Sequence, residues 1–252
     1  DCLSRQFGYD GLLEFTVEAG RPDSITKEKL ASIHRFPVTR ISVNPQTMNQ
    51  TTLNLIGRKH SVEDTKKAFE LAREQGFDNI NMDLIVGLPG EDYAMVEYTL
   101  EQVKALDPDS LTVHSLAVKR AARLNIFRDQ YQEMTFENNQ EIMELTMKTA
   151  YEMEMSPYYL YRQKNMKGNF ENVGYAKVDK AGIYNILIME EKQPIIALGA
   201  GGSSKLVFDH ERRIERVENV KDVTSYISRI DEMIQRKQTG ITRWLRDWRE
   251  DS

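Results

Sequence analysis

The first half of the chain switches repeatedly between two hydrophobic periods. Short runs in which apolar and polar residues alternate predict strands at "LLEFTVEAG" (12–20), "VTRISVN" (38–44), "NINMDLIVG" (79–87) and "SLTVHSLAV" (110–118). Between them, apolar positions spaced for one helical face recur three times. "DSITKEKLASIH" has Asp23 or Ser24 as its expected N-cap. In "SVEDTKKAFELAREQG", Ser61 and Asp64 stand at capping-box spacing and Gly76 supplies the stop. "EDYAMVEYTLEQVKALD" is the third helix. Such alternation predicts right-handed strand–helix–strand crossovers in a parallel sheet or barrel.

The faces of these strands carry further information. Phe15 and Val17 share one side of the first strand, and Glu14, Thr16 and Glu18 the other. Ile41 and Val43 oppose Arg40, Ser42 and Asn44. Ile80, Met82, Leu84 and Val86 oppose Asn79, Asn81 and Asp83. A parallel strand buried on both faces reads as nearly continuous apolar sequence, and a filled eight-stranded barrel has a branched apolar lumen. A polar face on three successive strands fits an open, wider barrel holding a ligand. A sheet with one solvated face reads the same way. "GLPG" (87–90) after the third strand supplies a sharp exit into the next helix.

Beyond residue 120 the rhythm changes. "TFENNQEIMELTMKTAYEM" predicts a helix capped by Thr135, and "PYYLYRQ" an extended segment. "IYNILIMEEKQPIIALGAGG" and "KLVFDHERRIERV" read as two hairpins, and "DVTSYISRIDEMIQRK" as a helix. The expected organisation is a partial α/β barrel over residues 1–125 with an α+β appendage over 126–252. "GAGG" (199–202) makes a poor phosphate cradle, because no P-loop Lys-Ser/Thr continuation follows it. His60 reads as a local cap or surface residue.

Composition removes several classes of function. Lys and Arg number 34 against 39 Asp and Glu, a net charge of −5 that gives no basic footprint for nucleic acid. No apolar run is long enough to span a bilayer, and the first residues do not resemble a secretory signal. With one cysteine, Cys2, no internal disulfide forms, and a reducing cytoplasm is the expected location.

Three segments in this order, "FTVEAGRP", "RISVNPQTMNQTTLNLIGRKH" and "GFDNINMDLIVGLPGE", resemble the radical SAM oxygen-independent coproporphyrinogen III oxidase family, nearest its coproporphyrinogen dehydrogenase-like branch. "TVHSLAVKRAARL", "PYYLYRQKNMKGNFENVGYAK" and "NILIMEEKQPIIALGAGGSSK" extend the likeness. It implies an open, TIM-like radical SAM barrel, of which this chain holds strands three to six. It also implies that Glu18, Gln46, Arg58, Asp83, backbone at Ala117 and, more loosely, Ser203 contact S-adenosylmethionine (SAM). That ligand carries a sulfonium, an ammonium, a carboxylate and ribose hydroxyls, so carboxylates and an arginine suit it.

The reaction implied is oxidative decarboxylation of coproporphyrinogen III to protoporphyrinogen IX in haem biosynthesis, in which a radical from SAM takes a propionate hydrogen and carbon dioxide leaves a vinyl group. An electron donor and an acceptor are implied partners. Lys119, Arg120 and Arg123 are the expected cations for the propionates, with Tyr158, Tyr159, Tyr161 and Arg162 on the opposite wall. A solvated helix start and core packing are the ordinary readings of the two groups. The family's Cys-x-x-x-Cys-x-x-Cys motif for a 4Fe-4S cluster is absent, so its ligands are expected upstream, in a longer protein. A haem- or tetrapyrrole-binding carrier on the same fold is the alternative function.

Overall fold

A computed structural model describes residues 2–116, 137–162, 170–208 and 213–250. The chain divides into two compact units, Asp1–Ile183 and Tyr184–Ser252. After a short helix α1 (Cys2–Phe7), the first unit is built on one six-stranded sheet in the order β1-β2-β3-β4-β6-β5. Strands β1 (Thr16–Gly20), β2 (Arg40–Val43), β3 (Ile80–Val86) and β4 (Ser110–Ser115) run parallel. Strands β5 (Ser156–Tyr161) and β6 (Asn172–Ala176) add antiparallel to them, with β6 next to β4. The extended segment expected at "PYYLYRQ" is β5, and β6 is a strand the pattern does not predict; both pair into the first unit's sheet.

The helices between the parallel strands form as their caps dictate. Helix α4 (Val62–Glu74) carries the full capping box: Ser61 Oγ accepts from the Asp64 amide, and the Asp64 carboxylate accepts from the Ser61 amide. Such a cap is worth roughly 0.5–2 kcal/mol. The Asp64 carboxyl is accordingly held below its ordinary range, chiefly by the Ser61 backbone amide. Helix α5 (Tyr93–Leu106) is capped by Asp92. Helix α2 (Lys27–His34) corrects an expectation: its N-cap is Thr26, not Asp23 or Ser24. Asp23 is committed to a forked pair with Arg21, and Pro22–Ser24 forms a separate 3₁₀ turn. Helix α3 (Gln50–Leu55) lies in the loop after β2, where no element was predicted. Helix α6 (Gln140–Glu152) is capped by Asn139, whose side chain accepts from the Ile142 amide. Thr135, the expected cap, lies outside the described residues.

One face of the sheet packs on these helices. Ile41, Val43, Ile80, Met82, Leu84, Val86, Leu111 and Val113 are buried there against Leu30, Phe69, Leu100, Val103 and Ile142. Burying a side chain of this size stabilises by roughly 1.5–3 kcal/mol, so this face supplies the unit's cohesion. The other face is free to carry chemistry.

The second unit contains a hairpin of β7 (Ser203–Phe208) and β8 (Arg213–Glu218), as the sequence pattern predicted. The first expected hairpin is instead a helix, α7 (Ile183–Met189), followed by a single β-bridge between Ile195 and Lys205. The last predicted helix is two, α8 (Val223–Ser228) and α9 (Ile230–Glu250). Trp244 of α9 donates to the Val207 carbonyl at 2.7 Å and ties the long helix to the hairpin.

Candidate functional site

The polar face of the first unit's sheet is a connected hydrogen-bond network rather than a row of solvated side chains. In a parallel sheet, paired residues share a face, so Asn81 lies beside Ser110, Asp83 beside Thr112 and Ile85 beside His114. Asn81 is buried and donates to Asp83 Oδ1 at 2.7 Å. Its own carbonyl oxygen accepts from Ser110 at 3.0 Å and Thr112 at 3.3 Å. Asn81 therefore has its amide orientation set by β4, and it in turn fixes the Asp83 carboxylate. Toward β1, Ser42 donates to Glu18 Oε2 at 2.6 Å, and Glu18 is otherwise exposed.

Two tyrosines of β5 lie across β6 toward β4. The Tyr159 hydroxyl reaches Thr112 Oγ1 at 3.4 Å, and the Tyr161 hydroxyl lies 3.4 Å from His114 Nδ1. Their rings are stacked, 6.2 Å apart and 9° from parallel. This lie is possible because β6 has Gly174 beneath Tyr159: a Cβ there would sit 1.9 Å from Tyr159 Cε1. Burial pushes the Tyr159 hydroxyl well above its ordinary value, so it stays a neutral donor. Substituting Gly174→Ala should displace the Tyr159 ring and cost about 1–3 kcal/mol by overpacking. The check is denaturant unfolding together with the aromatic circular dichroism bands; unchanged stability and bands would show that the ring does not need the glycine.

At the carboxyl end of β2 the chain turns sharply. Gln46 adopts a left-handed backbone, φ 70°, at a cost on the order of 1–3 kcal/mol for a residue with a Cβ. The conformation is held by two backbone bonds to β3: the Gln46 amide donates to the Asp83 carbonyl at 3.0 Å, and the Ile85 amide to the Gln46 carbonyl at 2.8 Å. Two buried groups brace the turn. His60, expected as a cap or surface residue, is 1% exposed, and its Nε2 lies 3.2 Å from the Pro45 carbonyl. Burial lowers its pKa, so it is a neutral imidazole that donates to Pro45. Glu91, also 1% exposed, accepts from Thr47 Oγ1 at 2.6 Å and Asn49 Nδ2 at 3.0 Å. Asn49 also donates to the Met95 carbonyl and to Thr99 at 3.0 Å each, so the loop after β2 is clamped to the start of α5. Gly87 makes that start reachable, with φ 80° where β3 exits.

Arg58 follows α3, is half-buried and forms no side-chain hydrogen bond or ion pair with any described residue. Its pKa is lowered, first by burial and then by the nearby Arg21 guanidinium. A half-desolvated guanidinium beside a second one is primed for an anion.

The other expected site residues fall elsewhere. Ser203 lies in the second unit, on β7, where its hydroxyl donates to Glu218 at 2.8 Å. Arg162 is exposed and paired with Glu171 at 3.2 Å. Ala117, Lys119, Arg120 and Arg123 lie outside the described residues. Glu91, His114 and Gly174 had no signal in the sequence pattern beyond their element positions.

The residues present do not fit an iron–sulfur cluster. Such a cluster needs a set of thiolates, and Cys2, the chain's one cysteine, is exposed on α1. Among the described residues no group of three or more His, Cys, Asp or Glu side chains is placed to hold a metal ion. The open oxygen of Asp83 offers an acceptor for a hydroxyl, and the unpaired Arg58 a cation for a carboxylate.

The profile of the radical SAM superfamily matches residues 8–103. The oxygen-independent coproporphyrinogen-III oxidase-like protein HemZ of Bacillus subtilis is 46% identical over 218 residues, covering 86% of this chain and 44% of that protein. The heme chaperone HemW of the same organism is 41% identical over 108 residues, 43% of this chain and 28% of that one. The chain thus spans less than half the length of these relatives. Among solved structures, coproporphyrinogen III oxidase (HemN) from Escherichia coli superposes with a TM-score of 0.61 over 87% of this chain and 49% of that one, at 20% identity, a likeness of fold.

Proposed function

From the premise that this chain belongs to the radical SAM coproporphyrinogen III oxidase family, we propose that it is the part of a longer enzyme that binds SAM and faces a tetrapyrrole. The reaction proposed for the whole protein is oxidative decarboxylation of coproporphyrinogen III. SAM, with a cluster held by another part of that protein, would supply the oxidising radical. Everything this chain contributes is binding, orientation and exclusion of water.

One observation carries the SAM-binding reading: the Asp83 carboxylate is oriented through Oδ1 by Asn81, while its Oδ2 has no donor within hydrogen-bond distance among the described residues. It stands beside the Gln46 turn, whose backbone is bonded to Asp83 itself. Asp83 meets the ribose hydroxyls of SAM, Gln46 and Glu18 its polar groups, and Arg58 its carboxylate. Backbone at Ala117 belongs to the proposed set. The propionates of the substrate require cations. Arg162 is offered by a surface pair that a carboxylate displaces at little cost, and Lys119, Arg120 and Arg123 are the further cations proposed. The location proposed is cytoplasmic; no described helix is long and apolar enough to cross a membrane. An electron donor and acceptor remain proposed partners.

The test is Asp83→Asn in the full-length protein. Losing a hydrogen bond to a charged acceptor costs about 1.5–3 kcal/mol, so SAM affinity should fall by roughly tenfold or more with thermal stability unchanged. Unaltered SAM affinity with lowered stability would make Asp83 a structural carboxylate. A second reading, a tetrapyrrole or haem carrier without decarboxylase activity, is favoured by the resemblance to a heme chaperone. A decarboxylation assay on the full-length protein with coproporphyrinogen III separates the two.

A further inference from the structure

His114 stands next to Asp83 and has no role in the reading above. Its Nε2 lies 3.9 Å from Asp83 Oδ2, too far for a direct hydrogen bond, and both side chains are partly open, at 29% and 21% exposure. Its other nitrogen, Nδ1, is 3.4 Å from the Tyr161 hydroxyl. A neutral imidazole carries one proton. If the proton were on Nδ1, Nε2 would turn a lone pair toward the carboxylate. With the Tyr161 hydroxyl donating to Nδ1, the proton sits on Nε2 and faces Asp83, which is the electrostatically favoured arrangement. The supports are fixed on both sides. Asn81 holds Asp83 by its other oxygen at 2.7 Å, and the Tyr161 ring is stacked on Tyr159, which rests on Gly174.

A donor and an acceptor are therefore held side by side without satisfying each other. One ligand hydroxyl fits between them: it donates to Oδ2 and accepts from Nε2–H. With ordinary hydrogen-bond lengths of about 2.7 and 2.9 Å, its oxygen meets the two protein atoms at close to a right angle. A carboxylate or a carbonyl in the same place would meet the Asp83 charge unfavourably, so the pair selects a hydroxyl.

We propose that His114 is a second ligand-reading residue of this site, bracketing with Asp83 one ribose hydroxyl of the bound nucleoside and so setting preference for a ribonucleoside over its deoxy counterpart. The proposal rests on the reading of Asp83 as a SAM contact and adds a residue, a tautomer and a specificity to it.

The experiment measures anaerobic binding of SAM and of its 2′-deoxy and 3′-deoxy analogues to the full-length, cluster-loaded protein, as wild type, His114→Phe, His114→Gln and Asp83→Asn. The wild type should bind one of the two deoxy analogues roughly tenfold more weakly than SAM. His114→Phe should lose about that factor for SAM and nothing for that analogue, so that discrimination collapses. His114→Gln, which keeps a side-chain N–H, should recover part of it. Equal binding of SAM and both analogues by the wild type overturns the proposal without any variant having to fold. So does a folded His114→Phe that keeps full SAM affinity and discrimination while Asp83→Asn loses affinity; the Asp83 reading then stands alone. If neither His114→Phe nor Asp83→Asn alters SAM binding, both readings fall together.

Discussion

Anaerobic incubation of the 252-residue chain with ferrous iron and sulfide should yield protein free of a stoichiometric cluster, without the broad visible charge-transfer absorption that a 4Fe-4S centre gives. The reason is a count of ligands. Holding such a cluster with one iron open for SAM takes three thiolates, and the chain has only Cys2. Cys2 lies exposed on the six-residue helix α1, and no described cluster of other ligating side chains substitutes. Decarboxylase activity of the chain alone should be absent for the same reason. Iron and sulfide analysis decides the matter: about four of each per chain would overturn it, whereas trace iron removed by a chelator would agree with it. A full-length protein carrying the cluster motif should acquire the absorption under identical treatment. The contrast separates the binding face proposed for this chain from the thiolate set it lacks.

The polar face of the sheet was legible because its signal is periodic. A strand that alternates Ile80, Met82 and Leu84 with Asn81 and Asp83 has to put amides and carboxylates on one side, and the structure shows that side as a network tied across β3 and β4. The capping box of Ser61 and Asp64 was legible for a similar reason, since a cap is a local contact at fixed spacing. What escaped was non-local. His60 is buried by a contact with Pro45, fifteen residues away, and Glu91 by Thr47, forty-four away, neither of which leaves a mark on the intervening pattern. The pairing of Tyr159 with Gly174 needs the register of β5 on β6, which a single chain segment does not reveal. The apolar run "IYNILIM" failed in another way. Short runs of that kind are equally compatible with strand and helix, and here the helix forms with none of its residues buried. Asp23 looked like a helix cap, but its carboxylate was claimed first by Arg21, two residues back.

Glu91 should carry a large stability effect for a polar side chain of the first unit. Its carboxylate is the common acceptor that joins the loop after β2 to the start of α5, through Thr47 and Asn49. Burial raises its pKa, while bonds from Thr47, Thr52 and Asn49 pull it back down. Replacing it by alanine removes two charge-assisted hydrogen bonds and leaves Thr47 and Asn49 with their bonds to each other, to Thr99 and to the Met95 carbonyl, at a cost on the order of 3 kcal/mol. That loss corresponds to a fall in unfolding midpoint of roughly 6–12 °C for a domain of this size. Glu91→Gln keeps an acceptor oxygen for the same donors and should lose far less. The two variants also separate through pH. A folded-state pKa raised above the unfolded value of about 4.3 means the native state binds the proton more tightly. The stabilisation from that extra affinity is complete below the unfolded pKa and is lost as pH rises through the folded one. Stability of the wild type relative to Glu91→Gln should therefore decline as pH is raised from 4.5 toward neutrality and then level off. Denaturant titrations of both proteins across that range test it. A difference that stays flat with pH would mean that Glu91 is ionised to the same extent folded and unfolded, and the clamp would then be a charged one. Because the same loop carries Gln46, Glu91→Ala should also weaken SAM binding in the full-length protein, whereas Glu91→Gln should leave it nearly intact.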